Sequence, residues 1–137
     1  DLDGMLDALG HEAGLEGLCG MSDARDIEQS AEAGVEAARL ALQVFVTAVR
    51  DYVGAYLVEL GGADALVFTG GIGTNRPRFR KRVCAGLEFA GIRLDEKANG
   101  TAAGECRLEA ADSATAIWAM PTNEELIVAR QARALLA

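Results

Sequence analysis

Between residues 35 and 60 the apolar positions Val35, Ala38, Leu42, Phe45, Val49, Tyr52, Tyr56 and Leu60 recur at intervals of three and four. That period predicts one long helix. Leu40, Val44, Ala48 and Leu57 add an apolar row on another side, so the helix is expected to be covered on more than one face. Gly61-Gly62 ends it. Upstream, Leu2, Met5, Leu6 and Leu9 share one side of a short helix over residues 2–11, and residues 14–20 read as a loop or short strand. Ser22 or Asp23 caps a helix that begins near Ala24 and carries Ile27 and Ala31; Gly34 breaks or bends it. Downstream, the apolar run Ala65-Leu66-Val67-Phe68 has the length of one buried strand. Pro77 opens an amphipathic helix that runs to Gly91. Residues 114–120 form a second candidate strand, stopped by Pro121. A last helix follows Asn123, with Glu124 and Glu125 in its first turn, where carboxylates suit the helix dipole. Residues 99–104 are the expected flexible loop, and there is no internal repeat. Helices interleaved with two strands predict an α/β arrangement.

Composition sets bounds on this picture. Half of the 137 residues are apolar and a quarter are charged, as in an ordinary globular domain. The net charge of -8 leaves no domain-wide basic field, which argues against nucleic acid as a partner. Cys19, Cys84 and Cys106 are odd in number and lack metal-ligand spacing, so reduced thiols in a cytoplasmic protein are expected. No basic and apolar leader is present, and the apolar stretches are expected to fall short of a membrane span.

The chemistry concentrates in Thr69-Gly70-Gly71-Ile72-Gly73-Thr74-Asn75. A strand, a glycine turn and a helix start follow one another here. Glycine permits close backbone approach and positive φ. Free N–H groups at such a turn favour an anion such as a nucleotide phosphate. A tight strand-to-helix turn without a ligand explains the glycines equally well. The spacing matches neither a Walker A loop nor Gly-x-Gly-x-x-Gly. Arg76, Arg78, Arg80, Lys81 and Arg82 follow, either as a solvated helix face or as local attraction for polyphosphate.

Three ordered blocks extend the pattern. They are Gly14-Leu15-Glu16-Gly17-Leu18-Cys19-Gly20 with Ser22-Asp23-Ala24-Arg25-Asp26, then residues 67–77 with 80–84 and 86–89, then Met120-Pro121-Thr122-Asn123-Glu124-Glu125-Leu126. Together they resemble the C-terminal part of the acetate kinase family, from about Leu6 to the end. The resemblance implies an α/β, ribonuclease-H-like fold of the actin/Hsp70 type, here an incomplete C-terminal domain for nucleotide binding and dimerisation. Family members are about three times as long, so an N-terminal domain that carries the catalytic histidine and most of the acyl site is expected to be absent. His11 lies outside every matching block and is expected at the surface.

The resemblance also implies site residues. Asp23, Ala24 and Arg25 stand where the family has an acidic-x-Arg triplet that contacts the nucleotide; on the local sequence alone they read as a capped helix start. The preceding Gly20-Met21-Ser22 is one residue shorter than usual. Gly71, Ile72, Gly73, Thr74 and Asn75 correspond to the adenosine-binding loop, with Ile72 against the base, and Thr74 replaces a usual glutamate. Glu124 corresponds to a Mg²⁺ ligand, with Glu125 the fallback; on the sequence alone both are helix-dipole carboxylates. The implied activity is reversible transfer of the ATP γ-phosphoryl group to acetate, giving acetyl phosphate and ADP, with Mg²⁺ and a homodimeric enzyme. The alternatives are a propionate or butyrate kinase, and a non-catalytic nucleotide-binding or dimerisation module.

Overall fold

Asp23 begins the best-packed helix of the N-terminal region. Its carboxylate accepts a hydrogen bond from the Arg25 N–H at 2.7 Å, satisfying a donor that has no partner within the helix. The computed structural model describes residues 1–136, apart from the side chain of Glu124, and divides into two units, Asp1–Gly61 and Gly62–Ala137.

The first unit is helical: α1 (Leu2–His11), α2 (Gly14–Cys19), α3 (Ala24–Glu32) and α4 (Glu36–Leu60). Both α2 and α3 pack on α4. Ile27 and Ala31 of α3 meet Ala38, Ala41 and Leu42 of α4, with Leu15, Cys19 and Met21 against them. Alanines at this seam let the helix backbones approach closely. Gly34, at φ +94°, makes the break between α3 and α4. Residues 14–20, expected as a loop or strand, are helical instead. Leu15 and Cys19 lie one turn apart and both face the core, a period that six residues are too few to reveal.

Helix α4 also corrects the membrane expectation. At 25 residues it is long and apolar enough, by length and composition alone, to cross a membrane. In this fold Ala38, Ala41, Leu42 and Val46 of its first half are buried in protein. Further along, Tyr52, Tyr56, Val58 and Leu60 are exposed.

The second unit is built on a three-stranded sheet with the order β1-β3-β2, where β1 is Ala65–Phe68, β2 Cys106–Arg107 and β3 Ala116–Ala119. Strands β1 and β3 are parallel, with Ala65 opposite Ala116 and Phe68 opposite Ala119. Strand β2 runs antiparallel to β3 and has only two residues, too few to show alternation. After β1 come α5 (Gly70–Asn75), α6 (Pro77–Cys84) and α7 (Glu96–Gly100); α8 (Glu124–Leu136) follows β3. The single helix expected from Pro77 to Gly91 is divided. Helix α6 ends at Cys84, Gly86 turns with φ +72°, and a 3₁₀ turn spans Glu88–Ala90. Residues 99–104 are not wholly a loop. Asp95 caps α7 through the N–H groups of Lys97 and Ala98, and Asn99 is buried within it.

Candidate functional site

Strand β1 delivers the chain to Gly70, whose φ of +69° turns it into α5. The three glycines of this segment have different reasons to be glycine. Gly70 supplies the left-handed backbone. Gly73 is buried, and a Cβ there would lie 3.1 Å from the Phe68 carbonyl carbon, so it lets α5 pack against the end of β1. Gly71 has neither constraint: its φ is not positive, and a Cβ would meet no atom within 4 Å.

Beside Gly71 lies an open cleft of about 390 Å³, lined by Gly70, Gly71, Thr74, Asn75, Gly104, Pro121 and Thr122. Among the described residues its lining holds hydroxyls, one amide and backbone, and no charged side chain. Three chain segments contribute: α5, the turn before β2, and the loop that leaves β3. Thr74 Oγ1 reaches the Met120 carbonyl at 3.5 Å, a long contact between the first and the third. Of the residues expected at the turn, Gly71, Thr74 and Asn75 line the cleft, whereas Gly73 is committed to packing and Ile72 is half-buried outside the lining.

Arg80 corrects the reading of the cationic run. It is almost wholly buried rather than on a solvated face. Its Nε donates to Asn99 Oδ1 at 2.7 Å and Nη2 to the Asn99 carbonyl at 3.0 Å. Nη1 donates to the carbonyls of Gly73 and Thr74 at 2.9 and 2.7 Å. Burial pushes the guanidinium's pKa down from its ordinary value, though arginine stays charged in proteins. A charge enclosed by neutral oxygens costs less when every donor is satisfied. Two of the four acceptors are carbonyls at the C-terminal end of α5, where a cation suits the helix dipole. Nothing in the sequence separates Arg80 from its exposed neighbours Arg78, Lys81 and Arg82. Asn99 and Gly104 likewise carried no signal as site residues, and Pro121 and Thr122 stood only within the third matching block.

The remaining candidates lie apart in the chain. Asp23, Ala24 and Arg25 belong to the first unit. Arg25 is exposed, and its guanidinium holds the Asp23 carboxylate through Nε at 3.0 and 3.1 Å. That hydrogen bond and the charge of Asp23 raise the Arg25 pKa. His11 is exposed, as expected, with Nδ1 3.1 Å from Asp7 Oδ1. Glu124 opens α8, but its side chain lies outside the described residues; Glu125 is exposed. Asn123 Oδ1 caps α8 through the Leu126 N–H at 3.1 Å. Among the described residues no group of three or more His, Cys, Asp or Glu is arranged to hold a metal ion.

The Acetokinase family model matches residues 1–130. The chain belongs to that family. Acetate kinase from Dictyoglomus turgidum is 45% identical over 128 residues, covering 93% of this chain and 32% of its own length. That of Clavibacter michiganensis subsp. michiganensis is 45% identical over 137 residues, covering 99% and 35%. The crystal structure of Porphyromonas gingivalis acetate kinase superposes with a TM-score of 0.90 at 35% identity, over all of this chain and 35% of that one. A propionate kinase from Francisella tularensis subsp. tularensis gives 0.86 at 34% identity, over 95% and 33%. The chain thus spans about a third of the length of the acetokinase relatives it matches. The α/β fold is that of the acetate kinase structures over this span.

Proposed function

We propose that this chain is the nucleotide-binding and dimerisation part, residues 1–137, of a cytoplasmic acetate kinase that moves the γ-phosphoryl group reversibly between ATP and acetate. The observation that carries the reading is Gly71. It borders an open cleft, and neither backbone conformation nor packing requires it to be glycine. A ligand lying against the backbone does require it. In an acetokinase that ligand is the nucleotide, held by Gly71, Ile72, Gly73, Thr74 and Asn75, with Asp23, Ala24 and Arg25 assigned to it by family resemblance.

Phosphoryl transfer asks a protein mainly for positioning and charge neutralisation. The cleft lining supplies positioning: neutral donors and acceptors suit a nucleoside better than a free polyphosphate. Mg²⁺ needs one or two carboxylates beside phosphate oxygens and water. The donor type suits such a sparse shell: Glu124 is a carboxylate two residues after Thr122 of the cleft lining. Glu124 would hold the ion, with Glu125 as fallback, and the ion would neutralise phosphate charge. The side chains here hold the nucleotide; acetate and acetyl phosphate are bound elsewhere in the enzyme.

A second reading, a kinase for propionate or butyrate, is favoured by the likeness to the Francisella propionate kinase. The test is acyl phosphate formation by a protein of the relatives' full length that includes this chain, with ATP, Mg²⁺ and acetate, propionate or butyrate. The reading expects the highest kcat/KM for acetate. A higher value for a longer acid replaces the substrate, and no acyl phosphate overturns the activity.

A further inference from the structure

The cleft is lined by segments that are separate in sequence, and a buried pair ties two of them together. Arg80 Nη1 holds the carbonyls of Gly73 and Thr74, on the helix that presents Gly71, Thr74 and Asn75. The same guanidinium holds Asn99 twice, through Oδ1 and the main-chain carbonyl. Asn99 lies in α7, five residues before Gly104 of the lining, and its Nδ2 donates to the Pro77 carbonyl at 2.8 Å. Both side chains are almost wholly buried, and each of their buried nitrogen and oxygen atoms has a hydrogen-bond partner. A planar fork that engages two segments at once fixes their separation in a way that a flexible ammonium does not.

We propose that Arg80 and Asn99 are positioning residues that couple α5 to the Gly104 segment and so set the shape of the cleft. The coupling stands on the geometry alone; its consequence for nucleotide affinity rests on the function proposed above. Neither residue touches the cleft surface. Each acts through the segment it holds.

Amide hydrogen exchange on the 137-residue chain tests the coupling without any ligand. The Arg76 N–H is bonded to the Ile72 carbonyl at the end of α5, and the Thr101 N–H to the Lys97 carbonyl at the end of α7. In Asn99→Ala both amides are expected to exchange faster together, by about tenfold, as loss of a buried bond to a charged group implies. The Leu108 N–H, bonded to the Ile117 carbonyl in the sheet region, is expected to keep its wild-type rate. Faster exchange at Thr101 with Arg76 unchanged overturns the proposal. If Asn99→Ala exchanges globally, Asn99→Asp is the second variant. It keeps an acceptor for Arg80, now a charged one, and replaces the donor to Pro77 by a carboxylate oxygen. Global exchange there too overturns the proposal, because the pair then supports the whole unit rather than the cleft. Titration with ADP gives the functional readout: Kd about tenfold weaker in the variant that shows coupled exchange. Coupled exchange in a chain that does not bind ADP supports the latch and removes the nucleotide reading instead.

Discussion

Gly73 lies so close to the end of β1 that a Cβ on it would sit 3.1 Å from the carbonyl carbon of Phe68 and 3.4 Å from its Cα. Both atoms are backbone, so they cannot swing aside. Gly73→Ala is expected to destabilise the second unit by about 1–3 kcal/mol, the usual cost of overpacking. Gly71→Ala meets no atom and sits in a helix, so it is expected to leave stability unchanged or raise it by about 0.5–1 kcal/mol. Its effect falls on the ligand, as weaker ADP binding. The melting temperature of Gly73→Ala should fall, while that of Gly71→Ala holds or rises. Equal melts would mean that Gly73 is not a packing residue.

Glu109 predicts a pH dependence. Burial works to raise its pKa, but the Ile117 N–H at 2.9 Å, its own N–H and Arg107 outweigh this and lower it. A depressed carboxylate contributes stability above its unfolded pKa of about 4.3, and that stability is lost as pH falls through the folded value. The melting temperatures of wild type and Glu109→Gln are therefore expected to differ near neutral pH and to converge as pH falls through and below the ordinary carboxylate range. A constant difference across that range would show that the charge of Glu109 is not what stabilises the edge of the sheet.

The metal assignment separates neighbours. In an enzyme of the relatives' length, Glu124→Gln is expected to raise the Mg²⁺ concentration needed for half-maximal rate and to lower kcat well beyond Glu125→Gln. One carboxylate is a large share of a sparse Mg²⁺ shell. A stronger effect of Glu125→Gln moves the site by one residue. If both are silent, the two glutamates serve only the dipole of α8.

Tyr52, Tyr56 and Leu60 fall on one side of the second half of α4 and leave an apolar surface there. Such surfaces mark interfaces, and twofold dimers are the commonest solution. The chain is expected to scatter light as a dimer at micromolar concentration, and Tyr56→Arg is expected to shift it to a monomer with unchanged helicity. A well-folded wild-type monomer contradicts this.

Long elements were legible in the sequence because their period repeats. Helix α4 and the strand over residues 65–68 follow from spacing alone, and short-range chemistry narrowed the cap of α3 to Ser22 or Asp23, of which the structure uses Asp23. Helix α2 and strand β2 did not show, since six and two residues are too few for a period. The glycine segment was visible as a feature, but the division of labour among Gly70, Gly71 and Gly73 depends on what stands beside each. Arg80 was hidden for the same reason. Within a run of five cations its burial is decided by Asn99, nineteen residues away. The cleft residues Gly104, Pro121 and Thr122 come from segments that only the sheet order brings near α5.

The central claim is that the cleft beside Gly71 holds a nucleotide. Titrating millimolar ADP into the isotopically labelled chain, with amide shifts followed residue by residue, tests it most directly. The account predicts that the amides of Gly70, Gly71, Thr74, Asn75, Gly104 and Thr122 move together in a saturable way, and that Gly71→Ala weakens the response. Shifts confined to another depression, such as the one lined by Lys81, Cys84, Arg93 and Glu96, or no shift at any of these six amides, would contradict it.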